Sequence, residues 1–378
     1  MTHYEYNVSS ASKKVLATTM FQAGGKRSAL YKKLLARLCT VAALAAVAAA
    51  AAAAEQKPHI VFAVIDDHGY HDLGYAGSRI KTPTIDKFAM EGVRFTQAYV
   101  QKVCSPTRTA ILTGRYPHRM GMQTPFCLGV AQELNLNETL MSQYLNDVGY
   151  VSHAVGKWHL GYTTWEHTPT FRGFESFYGY YNCAEDYFTH SQPPHNSTWG
   201  LDFHDDKQPN CGKGCSRPAW EANLPPAKLA ECMAESASAS CVKPSQHPWQ
   251  SGCWTCDDVD HYSTHLISNR VISVISNHVA RHGSAAPFFL YLPFQDTHAP
   301  AEVPRAYRDA VNDDAATGGI PNVVRRELAG KLATVDEAFA NQHHGYIAGC
   351  EHARQYNHFL RVHNGQRRAD CRLSRRIV

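Results

Sequence analysis

The chain reads as an α/β layered protein, and three observations predict this. Apolar, β-branched runs occur at 60–65 and 288–294, amphipathic helical segments lie between them, and chemistry-bearing polar residues stand where the runs stop. The run Ile60-Val61-Phe62-Ala63-Val64-Ile65 has no polar alternation, so it predicts a strand buried on both faces of a parallel sheet, ending at Asp66-Asp67. Thr82-Pro83-Thr84 opens a helix whose Ile85, Phe88 and Ala89 recur at helical spacing before Gly92 closes it. Val93–Tyr99 predicts another strand. Ser105-Pro106 begins a second helix, with proline in the first turn, and Gly114 ends it. Leu136, Leu140, Met141, Tyr144, Leu145 and Val148 place a third helix before Gly149, and Tyr150–Val155 follows as a strand. A long helix from about Asp260 carries Leu266, Ile267, Val271, Ile275 and Val279; the strand Phe288–Phe294 comes next, then a helix from Val323 to Phe339. In such a fold, function is expected at the carboxyl ends of the strands.

Residues 190–258 break this rhythm, being rich in Pro, Ser, Asn and Cys, and read as an insertion. Of the twelve cysteines, eight form an even set at 127, 183, 211, 215, 232, 241, 253 and 256, six of them crowded into 211–256. Structural disulfides are expected there, in preference to a redox or zinc role for Cys253-Trp254-Thr255-Cys256. Asn137-Glu138-Thr139 and Asn196-Ser197-Thr198 match the glycosylation sequon of a glycoprotein.

Charge divides the chain. The 37 Lys and Arg exceed the 33 Asp and Glu by four, yet residues 1–54 carry +6, residues 342–378 carry +5, and the body 55–341 carries −7. A nucleic-acid binder would hold its basic excess in the folded body, so nucleic acid is not an expected partner. Residues 1–54 form a basic leader followed by an alanine-rich run, Leu38–Ala54, with small residues before Glu55. This is the pattern of a signal peptide for the secretory pathway, with a secreted or lysosome-like destination. An uncleaved signal anchor is the alternative, but alanine is weakly hydrophobic and a run this short barely spans a bilayer, so no stable membrane span is expected.

Four clusters carry chemistry. Adjacent carboxylates at Asp66 and Asp67 repel unless a hard cation lies between them; the alternative is a solvated turn. Cys104 stands at the start of the Pro106 helix, where backbone N–H groups favour an anion, and Arg108 lies one turn later on the same face. A surface arginine beside a disulfide cysteine is the plainer reading. Lys157 and His159, at i and i+2 after a strand, can face one ligand if the backbone stays extended. His298, just beyond the last strand, is one histidine among 22.

Taken together, these residues resemble the sulfatase family. Cys104-Ser-Pro-Thr-Arg-Thr-Ala-Ile-Leu-Thr-Gly-Arg-Tyr116 is similar to its C-x-P-x-R signature. The blocks Val64–Tyr70, Gly156–Gly161, Arg172–Gly179 and Phe289–His298 follow in the family's order, with detail most like the arylsulfatase B branch. The resemblance, over about 58–340, implies an alkaline-phosphatase-like fold with a large, mostly parallel sheet flanked by helices. It implies that the formylglycine-generating enzyme converts Cys104 to formylglycine, and that Ca²⁺ is held by Asp66, Asp67 and the converted Cys104. One hydroxyl of the hydrated aldehyde would attack sulfur and the other would expel sulfate. Arg108 would steady the hydrate, Lys157 would hold sulfate oxygens, His159 would hydrogen-bond the hydrate and His298 would protonate the leaving alcohol. The implied substrate is a sulfate ester, including sulfated glycans.

The pattern then breaks. The family's later Asp-Asn-Gly-Gly strand end, which completes the calcium shell, and the sulfate-binding lysine beyond it do not occur in this sequence. Residues 342–378 are His- and Arg-rich without apolar periodicity; the alternatives are a divergent natural tail and an out-of-frame one. One nucleotide forward, codons available to Gln355–His358 can encode Asn-Thr-Ile, and those of Gly365–Ala369 can encode Asp-Asn-Gly-Gly. The expectation is a chain truncated within the family fold, a poor calcium binder and essentially inactive as written. Phosphonate or phosphodiester hydrolysis and non-catalytic binding of sulfated glycans are the rival functions.

Overall fold

The computed structural model describes residue 37 and residues 57–342 apart from 127–129, 196–197, 207–215, 219–226, 228–258, 284–285 and 313–318. The rest of the leader, the tail and seven of the eight paired-cysteine candidates lie outside the described residues; the eighth, Cys183, is buried.

Among the described residues the central sheet has six strands, in the order β1 (Ile60–Ile65), β8 (Phe288–Phe294), β2 (Val151–Lys157), β3 (Ser176–Tyr180), β6 (His204–Asp206) and β7 (Ser216–Pro218). The first four, β1, β8, β2 and β3, run parallel. β6 and β7 extend the edge antiparallel, and β4 (Ser191–His195) pairs with β5 (Thr198–Leu201) in a separate ribbon. The 190–258 segment thus contributes short strands to the main sheet.

β8 is central and buried at every position, which is why its sequence lacks alternation. Its side chains divide between two cores. Phe289 and Tyr291 pack with Ala154, Phe174, Trp158, Leu112 and Leu140 on one face. Phe288, Leu290, Leu292 and Phe294 pack on the other against Ile267, Val271 and Ile275 of α4 (Ser263–His282) and Val335 and Ala338 of α6 (323–342). α1 (Pro83–Glu91), α2 (Cys104–Thr113), α3 (Met141–Asp147) and α5 (Arg305–Asn312) complete the helical layers. No helix of the described residues is long and apolar enough to cross a membrane.

Three expected elements differ. β1 is a strand as expected but is not buried on both faces: it ends the sheet among the described residues, its residues are half-buried and Val61 is exposed. Residues 93–99 form no strand: Val93, Phe95 and Tyr99 are exposed, and the segment pairs with no strand of either sheet. β-propensity without a neighbour to supply a ladder makes no sheet. The third helix begins at Met141 rather than near Leu136, because Asn135 turns the chain, its side chain accepting from the Asn137 N–H, and Gln143 caps the helix by accepting from the Leu140 N–H.

Candidate active site

Four parallel strands bring their carboxyl ends to one place. Asp66 follows β1, Lys157 is the last residue of β2, Tyr180 is the last of β3, and His298 lies four residues beyond β8. The ends of β1 and β8 are tied: the Asp66 N–H donates to the Asp296 carbonyl at 2.6 Å, and the Thr297 N–H returns a bond to the Asp66 carbonyl.

Asp66 is buried and held by two cations. Lys157 Nζ donates to Asp66 Oδ2 at 2.5 Å, and Arg108 Nη2 lies 3.3 Å from the same oxygen. Arg108 Nη1 donates to the Lys157 carbonyl at 3.0 Å and to the Tyr291 hydroxyl at 3.4 Å, so one guanidinium links α2, β2 and β8. Burial alone would raise the Asp66 carboxyl; Lys157 and then Arg108 overcome it and hold the group well below the ordinary carboxylate range. Two cations against one carboxylate leave this buried core net positive.

Cys104 is the first residue of α2, half-buried, with Val103 as an extended N-cap. It is close enough to act electrostatically on Arg108 and on the buried Tyr180 hydroxyl, so residue 104 belongs to the same neighbourhood. The helix N-terminus and Arg108 both favour an anionic or polar oxygen group there.

His159 reaches this neighbourhood by a route that strand alternation does not describe. β2 ends at Lys157, and His159 takes a left-handed φ of 56°. It is buried, with Nε2 donating to the Phe126 carbonyl at 2.5 Å, which leaves Nδ1 as a buried acceptor without a partner among the described residues. Burial, then Lys157, pushes its pKa well below the ordinary imidazole value. His298 faces the site from the other side. Its Nδ1 donates to the Ala299 carbonyl at 2.8 Å, and Nε2 lies 3.7 Å from Asp67 Oδ2. Burial lowers its pKa, Lys157 adding to this and Asp66 opposing it. Asp67, at φ 59°, is the exposed member of the pair.

Several supporting residues escape sequence reasoning. Tyr291 and Tyr180 sit on strands as apolar-looking core residues, yet one accepts from Arg108 and the other buries a hydroxyl, without a partner among the described residues, within that cation's electrostatic reach. Buried Asp296 accepts from Tyr262 at 3.2 Å and Thr264 at 2.5 Å; its position between β8 and His298 is the one signal that could have marked it.

A calcium ion needs roughly six to eight oxygen ligands. The described residues bring together no group of three His, Cys, Asp or Glu side chains able to hold a metal ion. Asp66 is already neutralised by Lys157 and Arg108, and Asp67 is largely exposed and faces His298. These residues offer part of a shell and do not by themselves fit a complete calcium site.

The layered sheet, with its polar residues gathered at the carboxyl ends, defines the alkaline-phosphatase-like class of fold. A solved structure with the same architecture, Ps i-CgsB, superposes with a TM-score of 0.55 at 26% identity, covering 80% of this chain and 56% of that one. The chain belongs to the sulfatase family, whose model matches residues 58–345. Arylsulfatase J of Mus musculus is 32% identical over 286 residues, 75% of this chain and 39% of the relative. Arylsulfatase G of Homo sapiens is 41% identical over 126 residues, 33% of this chain and 24% of the relative. The chain therefore spans about two fifths or less of the length of these relatives.

Proposed function

We propose that the protein carries the nucleophile half of a sulfatase site and that its chemistry is hydrolysis of sulfate monoesters at residue 104. The observation that carries this reading is the net-positive core of Arg108, Lys157 and Asp66 beside Cys104 at a helix start. A sulfate monoester bears one negative charge, and this core has one uncompensated positive charge to meet it.

Formylglycine at position 104, made by the formylglycine-generating enzyme, would supply a hydrated aldehyde as nucleophile. The half-buried position at the end of a helix, with Arg108 one turn on, suits that polar group. Arg108 holds the oxygen at residue 104, and Lys157 presents its ammonium to sulfate oxygens. His159 offers Nδ1 as an acceptor, since Nε2–H is committed to Phe126. His298, with Nδ1–H committed to Ala299, turns Nε2 to the substrate side, and its imidazolium form, protonated at both nitrogens, passes the Nε2 proton to the departing alcohol. No step is routed through calcium. The partial shell supports a further reading, that this chain binds Ca²⁺ poorly and turns over little by itself.

The leader at 1–54 supports a secretory-pathway location, secreted or lysosome-like. The complex of Ps i-CgsB with k-i-k-neocarrahexaose supports a carbohydrate ester as the substrate class. Phosphodiesters and phosphonate monoesters carry the same single charge, so substrate preference has to be measured.

The test is hydrolysis of aryl sulfate and aryl phosphodiester by this chain and by a chain carrying an Asp-Asn-Gly-Gly segment after residue 341, both made with the formylglycine-generating enzyme. Calcium-dependent sulfate hydrolysis that rises with the added segment is the expected result. Hydrolysis by neither, or phosphodiester turnover exceeding sulfate turnover, contradicts the sulfatase reading, and robust activity of this chain alone contradicts the incomplete calcium shell.

A further inference from the structure

We propose that Lys331 is a positioning residue for His298, holding the strand-to-loop turn that aims the imidazole at the site. The proposal rests on the reading of His298 as the leaving-group residue. Lys331 lies on α6, about three turns before the helix leaves the described residues, and is 2% exposed. A lysine in that setting is costly unless its ammonium is fully used.

Its ammonium is used on the backbone of one turn. Nζ donates to the His298 carbonyl at 2.7 Å and also to the Pro300 carbonyl, two residues apart. It sits 4.0 Å from the centre of the Tyr187 ring, whose hydroxyl donates to the same His298 carbonyl at 2.9 Å. His298 therefore has its carbonyl held by two donors while its own Nδ1–H closes onto Ala299, and the one nitrogen left to act is Nε2. Buried Asp296 and Glu302 flank the turn and favour the charged form of Lys331 against the cost of its burial.

The role calls for a cation with two or more donors. A methionine of similar length fills the volume but leaves both carbonyls without this donor, and a glutamine keeps an N–H donor without the charge. An arginine keeps donors and charge.

The experiment compares the full chain with Lys331→Met, Lys331→Gln and Lys331→Arg in the absence of substrate. Amide hydrogen exchange is followed by peptide mass spectrometry over 295–302, and acylation of His298 by diethyl pyrocarbonate is followed on the same peptides. Buried His159 serves as the fold reporter. Exchange at His298 and Glu302 should quicken at least about tenfold in Lys331→Met, as expected for losing a charged hydrogen bond that holds a local opening shut. His298 acylation should quicken with it, His159 should stay protected, and Lys331→Arg should restore both readouts. If Lys331→Met does not fold, Lys331→Gln decides by the same criteria. Native protection of 295–302 in a folded uncharged variant, or loosening that spreads equally into β1 and β2, overturns the proposal. Because no turnover is read, loss of the sulfatase reading would not alter these results.

Discussion

Lys157 Nζ and Asp66 Oδ2 meet at 2.5 Å across the end of β8, the strand that separates β1 from β2 in the sheet. Their pairing closes the floor of the site and lets the buried cation of Arg108 approach from α2. Each charge makes the other tolerable out of water, which is a statement about both stability and chemistry.

Removing one partner should therefore be severe. Lys157→Met is expected to destabilise the chain by about 3 kcal/mol or more, read from urea unfolding at neutral pH, with Asp66→Asn in the same chain recovering part of the loss. The cost should depend on acid. Asp66 is held low when folded, so its contribution is full above the unfolded carboxylate pKa of about 4 and is lost as pH falls through the lower folded value. Below pH 4 the two proteins should converge in stability.

Acid should act through a second group, away from the site. His153 on β2 is buried, with Nδ1 2.8 Å from Ser176 Oγ; burial, then His278, pushes its pKa down to about 3. The unfolded imidazole binds its proton near 6.5, so between pH 6.5 and 3 the unfolded state holds more protons and stability falls with acid by up to roughly 1.4 kcal/mol per pH unit. His153→Gln should flatten that part of the stability profile. An unchanged slope would show that His153 is not its source.

Gly156 sets how closely β2 approaches β8. Its φ is +123°, and a side-chain carbon there would collide with the Pro293 carbonyl, a backbone atom that cannot turn aside. Gly156→Ala should cost about 3 kcal/mol and displace Lys157, its neighbour. Thermal unfolding reads the first effect, and loss of the depressed Asp66 titration by NMR reads the second.

Much of this arrangement is legible in the chain. Ile60–Ile65 and Phe288–Phe294 both form the strands their apolar runs declare, but only the second is buried throughout, since β1 ends the sheet among the described residues and leaves Val61 exposed; Asp66, Lys157 and His298 stand where those strands and β2 end. Cys104 and Arg108 share a helix face by spacing alone. What stays hidden depends on partners distant in sequence. Residues 93–99 have strand-like side chains but no ladder to join, and His159 turns left-handed after β2, where its ring bonds to the Phe126 carbonyl. Nothing in the sequence singles out Lys331; its role is visible only once the fold sets His298 and Pro300 against it. The disulfide expectation falls on residues outside those described, Cys183 excepted.

Peptide mass spectrometry across residue 104, after expression with the formylglycine-generating enzyme, tests the nucleophile itself. The Cys104 peptide should carry the aldehyde in place of the thiol and react with a hydrazide probe, and the Cys104→Ala chain should do neither. Recovery of only unmodified cysteine under conditions that convert a known sulfatase would contradict this reading.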